Sequence, residues 1–208
     1  MAEPIRAVLL LGPTGSGKSP VGALLERRGG FRHFDFGAEL RAAAAGERGL
    51  PPDDAAFVHH LLDTHALLPD EQFSIAQALL DAFLSRVGFD PDREVLVLNG
   101  LPRRVTQARA LAERVRVGHV LVLECDAEAV RARVARRRRG EGLDHAGRED
   151  DAAEAVARKL ALYAQETEPL VAHYAAQPTV RLTRLRVAAD TSEAALADQV
   201  AAALALDA

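Results

Sequence analysis

A parallel α/β sheet covered by helices on both faces is the fold class that this 208-residue sequence predicts. Two observations carry it. Short apolar runs bounded by turn residues alternate with segments of helical periodicity, and a glycine-rich loop joins the first run to the first helix. Strands buried on both faces read as continuous apolar runs, because helices pack on either side of the sheet.

The elements follow in order. Ala7–Leu11, Glu94–Leu98 and His119–Leu123 are the buried strands. Thr179–Val187 sets Val180, Leu182, Leu185 and Val187 against three arginines and reads as an edge strand, and a shorter strand falls at Phe31–Phe36. Helical spacing covers Lys18–Arg27, Phe57–Leu67, Phe73–Val87, Val105–Arg114, Glu128–Arg137, Ala152–Ala176 and Ser192–Leu206. Residues 37–87 hold helices without an intervening strand, so they read as a lobe inserted into the core. Residues 138–149 are glycine-rich, charged and poor in apolar anchors, and read as a mobile surface loop. No linker separates two domains. Residues 1–208 form one domain, with its core in 1–36, 88–137 and 150–208.

Composition narrows the function classes. Hydrophobic residues make up 49% of the chain, enough for a sizeable core and too many for global disorder. A net charge of −4 argues against a general nucleic-acid binder. Cys125 is the only cysteine, so an intrachain disulfide is excluded and a reducing compartment fits. The apolar run near the N-terminus, Ala7–Leu11, is too short for a signal peptide or a membrane span. A cytoplasmic location without a membrane partner is expected. His59, His60 and His65 form no ligand constellation, and the histidines are read as ordinary helix residues. Lysine occurs only at Lys18 and Lys159, which makes both positions worth following.

Lys18 belongs to Gly12-Pro13-Thr14-Gly15-Ser16-Gly17-Lys18-Ser19, a full G-x-x-x-x-G-K-[ST] match between a strand and a helix. This is a P-loop. Its glycines let successive N–H groups turn inward to a phosphate, and the helix that follows adds its positive end. Lys18 supplies charge to the β- and γ-phosphates, and Ser19 can place a hydroxyl on Mg²⁺. ATP and Mg²⁺ are the cofactors expected.

A P-loop alone does not choose a reaction. Further along lie Asn99-Gly100-Leu101-Pro102-Arg103 and Gln107, starting where a strand ends. Here the chain resembles the adenylate kinase family of nucleoside monophosphate kinases, whose corresponding motif is D-G-F-P-R-x-x-x-Q. Gly37-Ala38-Glu39-Leu40-Arg41 resembles the family's G-D-x-L-R, and Leu67-Leu68-Pro69 its L-V-P. Arg133 and Arg137 match an R-x-x-x-R, and Arg148-Glu149-Asp150-Asp151 an R-x-D-D, on either side of the lid. Tyr163, Thr167, Pro169, Leu170 and Tyr174 match the family's Y-x-x-x-T-x-P-L-x-x-x-Y helix.

The resemblance implies a P-loop NTPase three-layer sandwich on a parallel five-stranded sheet. It implies a monophosphate-binding lobe at 37–87 and a short lid at 138–149 without structural zinc. Arg41 and Arg103 would grip the acceptor phosphate, a task suited to the guanidinium fork. Gln107 would bond the adenine edge, while Leu68, Gly37, Gly100 and Phe36 would line the acceptor site. Arg133 would lie against the donor base. Arg137 and Arg148 would close on the transferring phosphoryl group. Small nucleotides would be the only partners, and the chain a monomer.

Five residues depart from the family pattern. Asn99 replaces an Asp whose carboxylate orders water ligands of Mg²⁺, so it would act on the metal through water without that charge. Phe36 and Ala38 replace Thr and Asp beside the acceptor. Lys159 stands where the family has a catalytic Arg, and lysine lacks the planar bidentate contact. Pro20 enters the first turn of the P-loop helix, where proline is tolerated. An ATP:nucleoside monophosphate phosphotransferase with AMP as acceptor is the leading reading. The alternatives are a nucleotide-binding module of low activity and a P-loop kinase of another small acceptor.

Overall fold

The computed structural model describes residues 3–141 and 153–205. At its centre is a five-stranded parallel sheet in the order β2-β3-β1-β4-β5. The strands are β1 (Ile5–Leu11), β2 (Phe31–Asp35), β3 (Val95–Asn99), β4 (Val115–Glu124) and β5 (Arg181–Arg186). The apolar run of β1 explains its central place. Ala7, Leu9 and Leu11 face one helical layer, while Val8 and Leu10 face the other. Helices α4 (Phe73–Val87), α5 (Val105–Leu111) and α8 (Pro169–Ala175) cover the first face; α1 (Lys18–Arg28) and α9 (Glu193–Ala205) cover the second. Burial of side chains such as Leu9, Leu79 and Leu98 is complete, each stabilising by about 1.5–3 kcal/mol.

Between β2 and β3 the chain forms α2 (Phe36–Ala44), α3 (Pro52–Thr64), a 3₁₀ turn at Asp70–Gln72, and α4. Asp35 caps α2, its Oδ1 accepting from Ala38 N–H at 3.0 Å. Helix α3 starts earlier than its apolar spacing suggests, because Pro52 at its start and Asp53 and Asp54 in its first turn favour a helix N-terminus. It ends at His65, which takes a left-handed φ of 53°.

Three further boundaries differ from expectation. β4 begins at Val115, four residues before the predicted start. Gly118 lies where the register with β1 slips, Ala7 pairing with Val117 and Val8 with His119, so an extra residue breaks the apolar run. Helix α5 stops at Leu111, three residues short of the predicted Arg114. The helix expected over 152–176 is three pieces: α7 (Ala153–Leu162), a π turn at Tyr163–Thr167, and α8. Pro169 has no N–H to continue an α-helical ladder, and Glu168 N–H instead bonds Tyr163 O at 2.8 Å. β5 pairs only with β4, with Arg181, Arg184 and Arg186 exposed, as an edge strand should.

Candidate functional site

The P-loop leaves β1 and enters α1, which follows β1 by way of left-handed backbone at Gly17, φ 96°. Close approach adds a second demand for glycine at position 12. A Cβ there would lie 2.7 Å from Ser16 Oγ and 2.8 Å from the Leu123 carbonyl. Ser16 is buried and donates to the Pro13 carbonyl at 2.8 Å. Lys18 folds over the same turn, its Nζ donating to the Gly12 and Pro13 carbonyls at 2.6 and 2.7 Å. Thr14, Gly15, Lys18 and Ser19 all face one large cleft of 870 Å³.

The opposite wall of that cleft comes from β2, β3 and the segments that follow them. Phe36, Gly37 and Arg41 enter from α2, and Asn99, Gly100 and Arg103 from the end of β3. Gly37 and Gly100 lie under guanidinium groups. A Cβ at Gly37 would sit 3.5 Å from Arg41 Nη1, and one at Gly100 would sit 3.5 Å from Arg103 Nη2. Arg103 Nε donates to the Gly100 carbonyl at 3.0 Å, so its guanidinium is held beside the strand end. Gln107, on α5, is buried and bridges two backbones: its Nε2 donates to Leu68 O at 2.9 Å, and its Oε1 accepts from Arg103 N–H at 3.0 Å.

A smaller cavity of 320 Å³ opens on the other side of the loop. Arg133 on α6 (Ala127–Arg138) lines it, its Nε donating to Gly15 O at 2.8 Å and its Nη1 to Thr191 O at 2.6 Å. Arg137, buried at the end of α6, lines both cavities. Lys159 on α7 faces the larger one, as do Tyr163 and Thr167 of the π turn. Burial, the largest influence, pushes the Tyr163 hydroxyl up to about 12 and leaves it protonated. Burial likewise pushes the Cys125 thiol up.

Comparison with known proteins gives the chain a family. The profile described as adenylate kinase matches residues 10–179. The adenylate kinase of Thermus thermophilus is 32% identical over 181 residues, covering 85% of this chain and 87% of the relative. The chain belongs to the adenylate kinase family.

Similarity extends to adenylate kinases of other bacteria. That of Syntrophotalea carbinolica is 31% identical over 201 residues, with 84% of this chain and 88% of the relative covered. That of Porphyromonas gingivalis is 32% identical over 169 residues, 79% of each. Membership of the adenylate kinase family makes the chain a phosphotransferase with a nucleoside monophosphate kinase function, using ATP with Mg²⁺. No helix among the described residues is long and apolar enough to cross a membrane.

Most residues singled out in the sequence come together. Lys18, Ser19, Arg41, Leu68, Asn99, Arg103, Gln107, Arg137 and Lys159 share the large cleft, while Arg133 faces the smaller cavity. Arg148 and most of the 138–149 segment lie outside the described residues. Phe36 stands at the cleft, but its ring is largely core. It is buried and tilts against Phe34 at 6.1 Å between centroids.

Three polar residues escaped the sequence reading. Asp35 ends β2 and sits beside Ser19, whose Oγ donates to its Oδ2 at 2.5 Å. His33 is a strand residue, not a helix residue, and its Nε2 lies 3.3 Å from Asn99 Nδ2. Burial lowers the His33 pKa, against weaker opposing effects of Asp35 and Glu26. Glu39 is buried in α2 and clamped by Arg48 Nε at 2.6 Å and Arg86 Nη2 at 2.7 Å. An Asp directly before a helix is a readable cap. Its neighbours across the sheet are not readable from local pattern.

Proposed function

We propose that the chain transfers the γ-phosphoryl group of ATP to the phosphate of AMP, giving two molecules of ADP in a reversible reaction. One observation carries this reading: the P-loop and two arginines, Arg41 and Arg103, line the same cleft. Phosphoryl transfer requires little covalent help from protein, so positioning and charge complementarity dominate. The P-loop N–H groups and Lys18 would hold the donor phosphates. Arg41 and Arg103 would hold the acceptor phosphate, with Gln107 and Leu68 beside its base. An acceptor phosphate oxygen attacks the γ-phosphorus, the bond to the bridging β–γ oxygen breaks, and ADP leaves. That oxygen is already nucleophilic, so no general base is needed.

Ser19 offers a hard oxygen in oxygen-rich surroundings, a donor set that fits Mg²⁺. Ser19 would hold the ion, with Asn99 next to it. When bound, Mg²⁺ neutralises charge on the β- and γ-phosphate oxygens. Arg137 and Lys159, facing the cleft from α6 and α7, would stabilise charge on the transferring group. Arg148 would join them from the 138–149 lid.

The test is a coupled assay for ADP formation with AMP, CMP, UMP, GMP and their deoxy forms. Turnover fastest with AMP is expected. Absence of acceptor-dependent turnover with every monophosphate would overturn the kinase reading, and preference for another base would overturn AMP alone.

A further inference from the structure

The geometry points to Asp35 as the metal-side carboxylate of the phosphate site, displaced by one strand from the position where the resembling family carries it. β2 and β3 are parallel neighbours in a register that makes Asp35 and Asn99 direct partners. Both end their strands at the edge where the P-loop begins, where open α/β sheets place ligands. Three groups then meet at one point. Ser19 Oγ donates to Asp35 Oδ2 at 2.5 Å, and Asn99 Nδ2 donates to the same Oδ2 at 3.0 Å and to Ser19 Oγ at 3.1 Å.

That arrangement gives Asn99 a reason. A carboxylate at position 99 could donate to neither oxygen, and it would stand about one hydrogen bond from the Asp35 carboxylate, where like charges oppose each other's ionisation. An amide at 99 and a carboxylate at 35 keep one negative charge and a complete set of donors and acceptors. Asn99 is therefore the complement of Asp35, and not a lost metal ligand. His33 lies beside the set on the protein side, its Nε2 3.3 Å from the same amide nitrogen. Hard oxygens from a P-loop serine and a carboxylate are the groups by which P-loop proteins hold Mg²⁺. Asp35 holds or orders the ion directly, or through its water, alongside Ser19.

This inference rests on the phosphate-site reading above, and its test separates the two. ATP binding is measured by titration calorimetry in EDTA and in excess Mg²⁺. The chains compared are the parent, Asp35→Asn, Asn99→Asp, and the exchange Asp35→Asn with Asn99→Asp. Asparagine preserves the cap on α2, and thermal melts verify folding. In the parent, Mg²⁺ tightens ATP binding. Asp35→Asn loses about tenfold or more of that gain, as removal of outer metal partners does, while metal-free ATP affinity does not weaken, because a carboxylate that repels the phosphates is gone. The exchange restores the gain. Asn99→Asp alone lowers the melting temperature in EDTA and regains it with Mg²⁺. An undiminished Mg²⁺ effect in Asp35→Asn, a parent indifferent to Mg²⁺, or an exchange no better than Asp35→Asn each overturns the inference. Failure of AMP-dependent turnover, with the Asp35 effect intact, would sink the kinase reading alone.

Discussion

The side-chain amide of Gln107 donates to the carbonyl of Leu68 at 2.9 Å, tying α5 to the segment that links α3 and α4. Its other end receives the Arg103 N–H at 3.0 Å. One buried amide therefore sets the spacing of the proposed acceptor wall and the approach of an arginine. Gln107→Ala is expected to raise the KM for AMP by about tenfold or more, since buried hydrogen bonds lost here cost about 1–3 kcal/mol each. The KM for ATP should stay nearly constant. Equal changes in both constants would remove Gln107 from the acceptor side.

Glu39 provides a stability test apart from catalysis. Its carboxylate is buried between Arg48 and Arg86, and Arg86 also lies over the Phe83 ring at 5.4 Å. Glu39→Ala strands two cations, one of them 41% exposed, and should cost about 2–3 kcal/mol, below the full penalty for a broken buried pair. Asp198→Ala removes the partner of Arg28 at an exposed position and should change stability by less than about 1 kcal/mol. Urea unfolding of the two variants checks the contrast.

Gly22 reverses an ordinary rule. Glycine to alanine inside a helix stabilises by about 1 kcal/mol when space is free. At Gly22 a Cβ would lie 2.3 Å from His33 ring atoms. Gly22→Ala should therefore destabilise, by about 1–3 kcal/mol, and His33→Ala in the same chain should recover part of the loss. A double variant no more stable than Gly22→Ala would count against the clash.

Lys159 faces the cleft from a half-buried position on α7. Lys159→Ala should lower kcat more than it raises either KM, because a cation acting on the transferring group is used mainly in the transition state. Lys159→Arg should retain or increase kcat. Steady-state kinetics of both variants decide, and an alanine variant with parental kcat would assign Lys159 to the surface.

Cys125 reports on the loop without enzyme turnover. Burial, outweighing Arg133 and Lys18, pushes its thiol up. Less thiolate is then present at neutral pH, so alkylation should run slower than for free cysteine and accelerate as pH rises. A rate equal to that of free cysteine would contradict this environment.

The sheet and the P-loop were legible because their signals are local: an apolar run, a spaced glycine motif, a helix behind it. The cleft's arginines came from motif order. Asp35, His33 and Glu39 were not legible, for one physical reason. Each takes its importance from a neighbour on another element: Asn99 across the β2–β3 register, Gly22 beneath a ring, Arg86 on another helix. The early start of β4 stayed hidden because Gly118 interrupts its apolar run. The broken helix near Pro169 carried its own marker, since an interior proline removes a ladder bond. Asn99, taken by itself, reads as a loss of charge, and only the adjoining strand shows where a charge resides.

Lys18 rests on the Gly12 and Pro13 carbonyls at 2.6 and 2.7 Å. The loop thus has a cation of its own to wrap around. A loop ordered by its own contacts loses less entropy when it holds a phosphate. The phosphate must also persuade the ammonium to exchange carbonyl oxygens for its own. Measured affinity is the balance of that exchange, so Lys18→Met would subtract a charge and a built-in template together.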